Sequence, residues 1–281
     1  RKVSFALATA ITMALPSAAF ATNGYFLEGY GAKSRGMGGV GIAYGQDGLA
    51  AGFNPAAMIQ VDTSRFDVGG EYFHPQVCVT HESNFLGNTN ECSTADKFLI
   101  PSMGGVFKVG DGFALGVAAI GAGLATNFNQ TPRDQDGNGT PDSYFYNFIT
   151  TSGGLATNEV GVSLIQMQIL PSVAFSFMND QTIGFSIAMA AQVFRAYGLG
   201  SFVDLGFSTS STALTNRGPD WSYGMGWRVG YLGRFFDQKL AFGVNYAAEV
   251  NMSEFNRYAG LFAEGGDFAT SNRSPQKISI T

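Results

Sequence analysis

One stretch of the chain spaces oxygen ligands as a calcium loop does. Asp134, Asp136, Asn138, Thr140 and Asp142 occupy alternate positions, with Gly139 where a sharp turn is needed. Alternating carboxylates converge on a hard divalent cation in such loops. The acid that closes an EF-hand is replaced by Phe145, so the run resembles shorter extracellular calcium repeats and reads equally as a solvated Asp/Gly turn. Cys78 and Cys92 are the two cysteines. They lack the C-x-x-C spacing of a metal or redox site, and in an exported chain an isolated pair is expected to form a disulfide. Its loop closure contributes about 3 kcal/mol by chain entropy. Hydrolytic chemistry finds little support: His74 and His81 are the two histidines and no G-x-S-x-G is present, so an enzyme is not expected. Gly36, Gly38 and Gly41 satisfy G-x-G-x-x-G, but no strand precedes them in a βαβ unit. Glycines there serve close backbone packing instead.

Export is read from the N-terminus. Arg1 and Lys2, the apolar residues 3–15 and Ala19-Phe20-Ala21 form the three parts of a secretory signal, residues 1–21. Its removal takes the formal charge from −5 to −7, which argues against nucleic acid as a partner. No later apolar run is long enough to cross a membrane as a helix. Glycine (38) and phenylalanine (25) are abundant and charged residues are only 13%, which suits an outer-membrane barrel better than a soluble export. The chain lacks an initial Met and stops as a strand begins near Lys277, so an incomplete sequence is expected.

The elements that position these groups are strands. Trp221, Tyr223, Met225, Trp227, Val229, Tyr231 and Phe235 share one parity; Ser222, Gly224, Gly226, Arg228, Gly230 and Arg234 hold the other, with Leu232 intruding. Side chains on a strand alternate faces, so the segment has one greasy wall and one thin, polar wall. The same alternation runs through 65–73, 162–177, 183–194 and 240–250, and more weakly through 98–109 and 113–124. In 240–250 it places Val250 outward and Glu249 inward. Tight polar turns alternate with the long segments 77–96, 125–161, 198–219 and 253–276, as periplasmic turns alternate with outer loops. The fold class is therefore all-β, a transmembrane antiparallel barrel with about eight strands present. Residues 22–64 are expected to plug its lumen and 65–281 to form a partial barrel with long outer loops. A plug of that size needs a barrel wider than eight strands enclose.

The plug segment also carries a resemblance. Residues 29–39 (Gly-Tyr-Gly-Ala-Lys-Ser-Arg-Gly-Met-Gly-Gly), Asp47 and Asn54-Pro55-Ala56 resemble the outer-membrane long-chain fatty-acid transporters and their relatives that take up aromatic hydrocarbons. Pro171-Ser172-Val173-Ala174, residues 194–199, Trp221-Ser222-Tyr223-Gly224 and residues 258–264 continue the likeness in order. The resemblance implies a barrel of roughly fourteen strands in a Gram-negative outer membrane, acting as a monomer. It also implies a hatch whose gating residues include Asn54, Pro55, Ala56, Gly36, Gly38 and Gly39. The implied function is uptake of fatty acids or similar hydrophobic compounds, with lateral release into membrane lipid through a kinked strand.

Physical chemistry agrees with that route. Each methylene gains about 0.8 kcal/mol on leaving water, so a water-filled pore is a poor conduit for an acyl chain. Gly121, Ala122 and Gly123 are candidates for the wall kink, since glycine marks bends in strands. Phe202, Leu205, Phe207 and Leu214 in one outer loop, and Leu261, Phe262 and Phe268 in another, are candidate ligand contacts. A carboxylate head group wants a cation, which inward Arg228 and Arg234 could supply; the competing role is pairing with Glu249 or Asp47. A general diffusion porin, or an outer-membrane receptor or adhesin, is the alternative. No cofactor is expected beyond the candidate calcium.

Overall fold

A computed structural model describes residues 27–81, 89–129, 159–178, 180–199 and 213–261. The signal segment, the calcium-like run 134–142, Lys277 and the loop candidates Phe202, Leu205, Phe207, Phe262 and Phe268 lie outside the described residues.

The alternating segments build one curled antiparallel sheet. After β1 (Arg65–Phe73) comes a small hairpin of β2 (Cys78–His81) and β3 (Thr89–Cys92). The wall resumes with β4 (Phe98–Lys108), β5 (Phe113–Asn129), β6 (Glu159–Met178), β7 (Gln181–Tyr197), β8 (Asp220–Phe235) and β9 (Leu240–Ala247). Each wall strand pairs with the next in chain order. Two residues, β10 (Asn251–Met252), return to β8 above β9.

The period of two decides which side is which. On β6, Ile165 is 53% exposed while its neighbour Gln166 is 2% exposed. Ile183, Phe185 and Ile187 of β7, and Trp221, Tyr223 and Met225 of β8, continue the exposed apolar belt. Trp221 stacks on Tyr223 near one end of β8, and Trp227 packs against Tyr246 in its middle, adding aromatic rings to the belt. No helix among the described residues is long and apolar enough to cross a membrane. The wall strands have the length and the outward faces to do so.

The core sits inside the curl. Short helices α1 (Gly31–Gly36) and α2 (Ala50–Phe53), followed by a 3-10 helix at Pro55–Gln60, fold against the inner face. Leu49, Ala50, Ala51 and Met58 are buried there with Val106, Ala118, Leu170 and Ala188 of the wall. Small inward residues on the strands leave the space that this segment fills. A second cluster lies towards the other end of β6 and β7, where Phe255 and Tyr258 pack on Phe194.

The structure departs from the sequence reading in the long connections and near Glu249. Cys78 and Cys92 are disulfide-bonded as expected, but they close a paired hairpin rather than an irregular loop. The expected strand 240–250 stops at Ala247. Ala247 faces Arg228 and Asn251 faces Met225, so four steps on the returning chain match three on β8. That extra residue is a bulge, which reverses parity beyond it. Val250 consequently turns inward and is 3% exposed, while Glu249 turns out. Gly226 and Gly224 leave the room that Val250 and Met252 occupy.

Candidate functional site

The plug is held by groups that the strands aim into the lumen. Asn54 is fully buried. Its Oδ1 accepts from the Ala56 N–H at 2.9 Å and caps the 3-10 helix that Pro55 begins. Its Nδ2 donates to the Ile42 carbonyl at 2.8 Å and to the Tyr231 carbonyl of β8 at 3.1 Å. One side chain thus ends a turn, ties it to the plug and ties the plug to the wall.

Two wall glycines receive this turn. Gly184 of β7 and Gly230 of β8 are direct cross-strand partners. A Cβ on Gly184 would stand 2.3 Å from the Ala56 nitrogen, and one on Gly230 would stand 1.8 Å from Asn54 Oδ1. The pair makes a notch that any side chain would fill. Charges complete the attachment. Lys108 Nζ donates to the Ile59 carbonyl at 2.5 Å, Asp67 accepts from the Gly48 N–H at 2.8 Å, and Arg35 of the plug pairs with Glu71 of β1 at 2.8 Å.

Gly38 and Gly39 terminate α1. The Gly39 N–H reaches the Ser34 carbonyl and the Gly38 N–H reaches the Arg35 carbonyl, a Schellman pair with Gly38 in the left-handed region. Gly36, by contrast, faces open space.

A slot interrupts the wall between β4 and β5. Their ladder runs from Lys108–Ala114 to Ser102–Ile120 and ends there. Beyond it, β4 continues with β1 to Phe98, and β5 continues with β6 to Asn129. The Thr94 N–H donates to the Asn127 carbonyl, and the Asn127 N–H to Ser93 Oγ, so the slot is closed again at its far end. Pro101 lies just past the last pair and has no N–H to offer a ladder. Gly121 faces it without a side chain. Behind the slot lies a cavity of about 400 Å³ lined by Leu27, Tyr30, Tyr72, Ile100, Pro101 and Gly121 among others.

A profile of the family described as "Outer membrane protein transport protein (OMPP1/FadL/TodX)" matches residues 8–274. The chain belongs to this family. A long-chain fatty acid transport protein of Escherichia coli O6:H1 strain CFT073 is 24% identical over 254 residues, which is 87% of this chain and 54% of that protein. A 79-residue stretch is 39% identical to an uncharacterized Chlorobium limicola protein, covering 27% of this chain and 39% of the other. The solved toluene transporter TodX of Pseudomonas putida shares the fold, with a TM-score of 0.62 at 18% identity, over 82% of this chain and 58% of that one. The chain therefore spans little more than half the length of these two transporters. As a member of the OMPP1/FadL/TodX family it is an outer-membrane protein of Gram-negative bacteria.

Within this family member, the sequence candidates separate in space. Asn54, Pro55 and Ala56 meet at the glycine notch. Gly121, Ala122 and Gly123 border the slot, but β5 keeps register with β6 through all three without a bulge. The interruption is on the β4 edge, where the sequence reading placed a kink within β5 itself. Leu214 is fully buried and Leu261 packs on the second cluster. Arg234 lies at the turn end, bonded to Gln238 and lining a cavity of about 800 Å³ with Lys33 and Arg65. Arg228 is not paired with Glu249 or Asp47: Glu249 has turned outward, and Asp47 accepts from the Leu49 N–H. Arg228 instead donates to the Gly52 carbonyl at 3.0 Å and to Gln168 Oε1 at 2.6 Å.

Removal of the Asn54 carboxamide tests the tie between plug and wall. Asn54→Ala loses a cap and leaves the Ile42 and Tyr231 carbonyls short of a donor, which is expected to cost about 2 kcal/mol. Purified protein in detergent should melt at a lower temperature, and protease should release the plug segment sooner.

Proposed function

We propose that this protein carries hydrophobic molecules, long-chain fatty acids or similar compounds, from the cell exterior into the outer membrane. The ligand is collected among the outer loops, held in the lumen beside the plug and released sideways through the slot between β4 and β5. Residues 1–21 direct export, the following segment to residue 64 acts as hatch, and the protein works as a monomer. The observation that carries this reading is the coincidence of a wall interruption with a cavity lined by both plug and strands. Leu124, inward on β5 just above the slot's lower edge, is 42% exposed and offers an apolar surface on that path. Family membership and the likeness to a fatty acid transporter and a toluene transporter support it further. A diffusion porin is disfavoured because the plug fills the curl and the inner face is lined by small residues that grip it.

Uptake of radiolabelled oleate and of toluene tests the reading, in cells that lack their own carriers and express the full-length gene. Saturable uptake of at least one compound is expected, and disruption of Asn54-Pro55-Ala56 should abolish it. Uptake of neither, with small polar solutes passing freely, would replace the transporter by a porin.

A further inference from the structure

The slot between β4 and β5 is bounded on all sides, and its far end is made by a strap rather than by a ladder. One side is β5 from Gly121 to Thr126; the other is residues 95–101, which lead into β4. The near end is the Ser102–Ile120 pair. At the far end the N–H and Oγ1 of Thr94 both donate to the Asn127 carbonyl, at 2.7 and 3.1 Å. The Asn127 N–H donates to the buried Ser93 Oγ at 2.9 Å. At the rise of an extended strand the opening is roughly 20 Å tall. A slit of that height admits molecules by their width, not their length.

The strap is anchored on its other side. The Ser93 N–H donates to the Val77 carbonyl at 2.8 Å, and the His74 ring meets Asp96 at 3.1 Å. Cys92 immediately precedes Ser93, Cys78 immediately follows Val77, and the two cysteines are disulfide-bonded partners in the small hairpin. That hairpin has four residue pairs, and Val77, Cys78, Thr80 and Cys92 are all exposed. A two-stranded ribbon of this size is marginal in water. The cross-link is therefore what keeps 77–78 beside 92–93. Neither cysteine belongs to a wall ladder. Its mechanical effect falls on the strap. Through Ser93 and Thr94 the bond holds β5 at a fixed distance from the opposite side of the slot, which β1 carries by pairing from Phe73–Phe98 to Gly70–Pro101.

We propose that the disulfide-bonded hairpin and the strap from Ser93 to Asp96 clamp the far end of the slot, so that Cys78, Cys92 and Ser93 set the width of molecule that leaves through the wall. The inference rests on the transport reading above and adds to it the element that selects by cross-section. With the bond closed, the slit passes a slender acyl chain and holds back a rigid fused-ring molecule. With the bond open, the hairpin frays, the strap loses its anchor at Val77 and the two sides can part. Opening takes an external dithiol: the two cysteine sulfurs become thiols while the dithiol is oxidised to its cyclic disulfide. Both cysteines are exposed to it.

Uptake of radiolabelled oleate and of radiolabelled pyrene, a rigid fused-ring hydrocarbon, tests the clamp. It is measured above vector background in cells that lack their own carriers and express the full-length gene. Wild-type protein is expected to favour oleate. In the Cys78→Ser/Cys92→Ser variant the ratio of pyrene to oleate uptake should rise roughly fivefold or more, because the strap is freed by local unfolding of the hairpin. Ser93→Ala keeps the disulfide but loses the bond to the Asn127 N–H, and should raise the ratio about twofold. Dithiothreitol acts on protein that is already assembled: added to wild-type cells it should reproduce the ratio of the double variant, and it should leave the double variant itself unchanged. Heat-modifiable gel mobility reports that each form is folded. The same ratio in oxidised and reduced wild-type cells overturns the clamp and leaves transport standing. Uptake of neither compound by the wild type overturns the transport reading and the clamp with it.

Discussion

Gly230→Val drives the plug out of its seat. The new Cβ alone would stand 1.8 Å from Asn54 Oδ1 and 3.0 Å from Pro55 Cδ, and the two methyl groups add to the overlap. The wall cannot yield easily, because Gly230 is locked between β7 and β9 through Gly184 and Asn245. Asn54 cannot yield without surrendering its bonds to Ile42, Tyr231 and Ala56. Overpacking of this kind, combined with the loss of buried hydrogen bonds, costs about 3 kcal/mol or more. Gly184→Val should do the same from the neighbouring strand, since its Cβ meets the backbone at Pro55 and Ala56. Gly36→Ala meets nothing within 4 Å and should be neutral. The measurements are heat-modifiable mobility, for assembly, and sensitivity of the cells to a polar antibiotic that an intact outer membrane excludes. Loss of the folded form or a marked gain in sensitivity is expected for both notch variants. Wild-type behaviour in both assays would show that the notch does not seat the plug.

The notch also shows where sequence reasoning reaches its limit. The wall was legible because alternation is local: Ile165 and Gln166 declare opposite faces without reference to any other strand. The Asn-Pro-Ala motif entered through its resemblance, and the structure shows its chemistry to be local, a cap and a proline acting within a few residues. A glycine pair is different. Gly184 and Gly230 become one feature only once β7 and β8 are in register, and each alone reads as a weak point in its strand. Arg228 was legible as a buried cation, but acids were named as its partners. The bulge that turns Glu249 outward depends on inward space at Gly224 and Gly226, which lies on another strand. The hairpin between Cys78 and Cys92 was hidden because its strands are too short to show a period. Gly121 drew attention because glycine marks bends in strands. Its counterpart Pro101 did not, since a proline ends a ladder only on the edge towards which its missing N–H would point.

Gly121→Val should close the slot, and the effect on transport should be large. Gly121 lies at the start of the unpaired edge of β5, and a Cβ there would be 3.3 Å from the Pro101 carbonyl and 3.4 Å from Ile100 Cγ2. Those contacts are tight, yet the β4 segment from Phe98 to Pro101 is bonded only to β1 on its other side and can give by a few tenths of an ångström. A β-branched side chain then packs against Ile100 and Pro101 and occupies the space through which an acyl chain would pass. Stability should change by less than about 1 kcal/mol, because buried apolar contact is gained where strain is added. Binding of the hydrophobic substrate to purified protein should fall far less than uptake, since Gly121 is one of several residues lining the cavity and the plug and the outer loops are untouched. If the proposed sideways route holds, uptake by cells should nevertheless fall tenfold or more, because closing a steric passage raises the barrier for every molecule. Folded variant at normal levels, with binding retained and uptake lost, is the expected result. Undiminished uptake would send the ligand elsewhere, most directly past the plug into the periplasm. In that event Lys108→Met, which releases the Ile59 carbonyl at the turn end, should raise the rate.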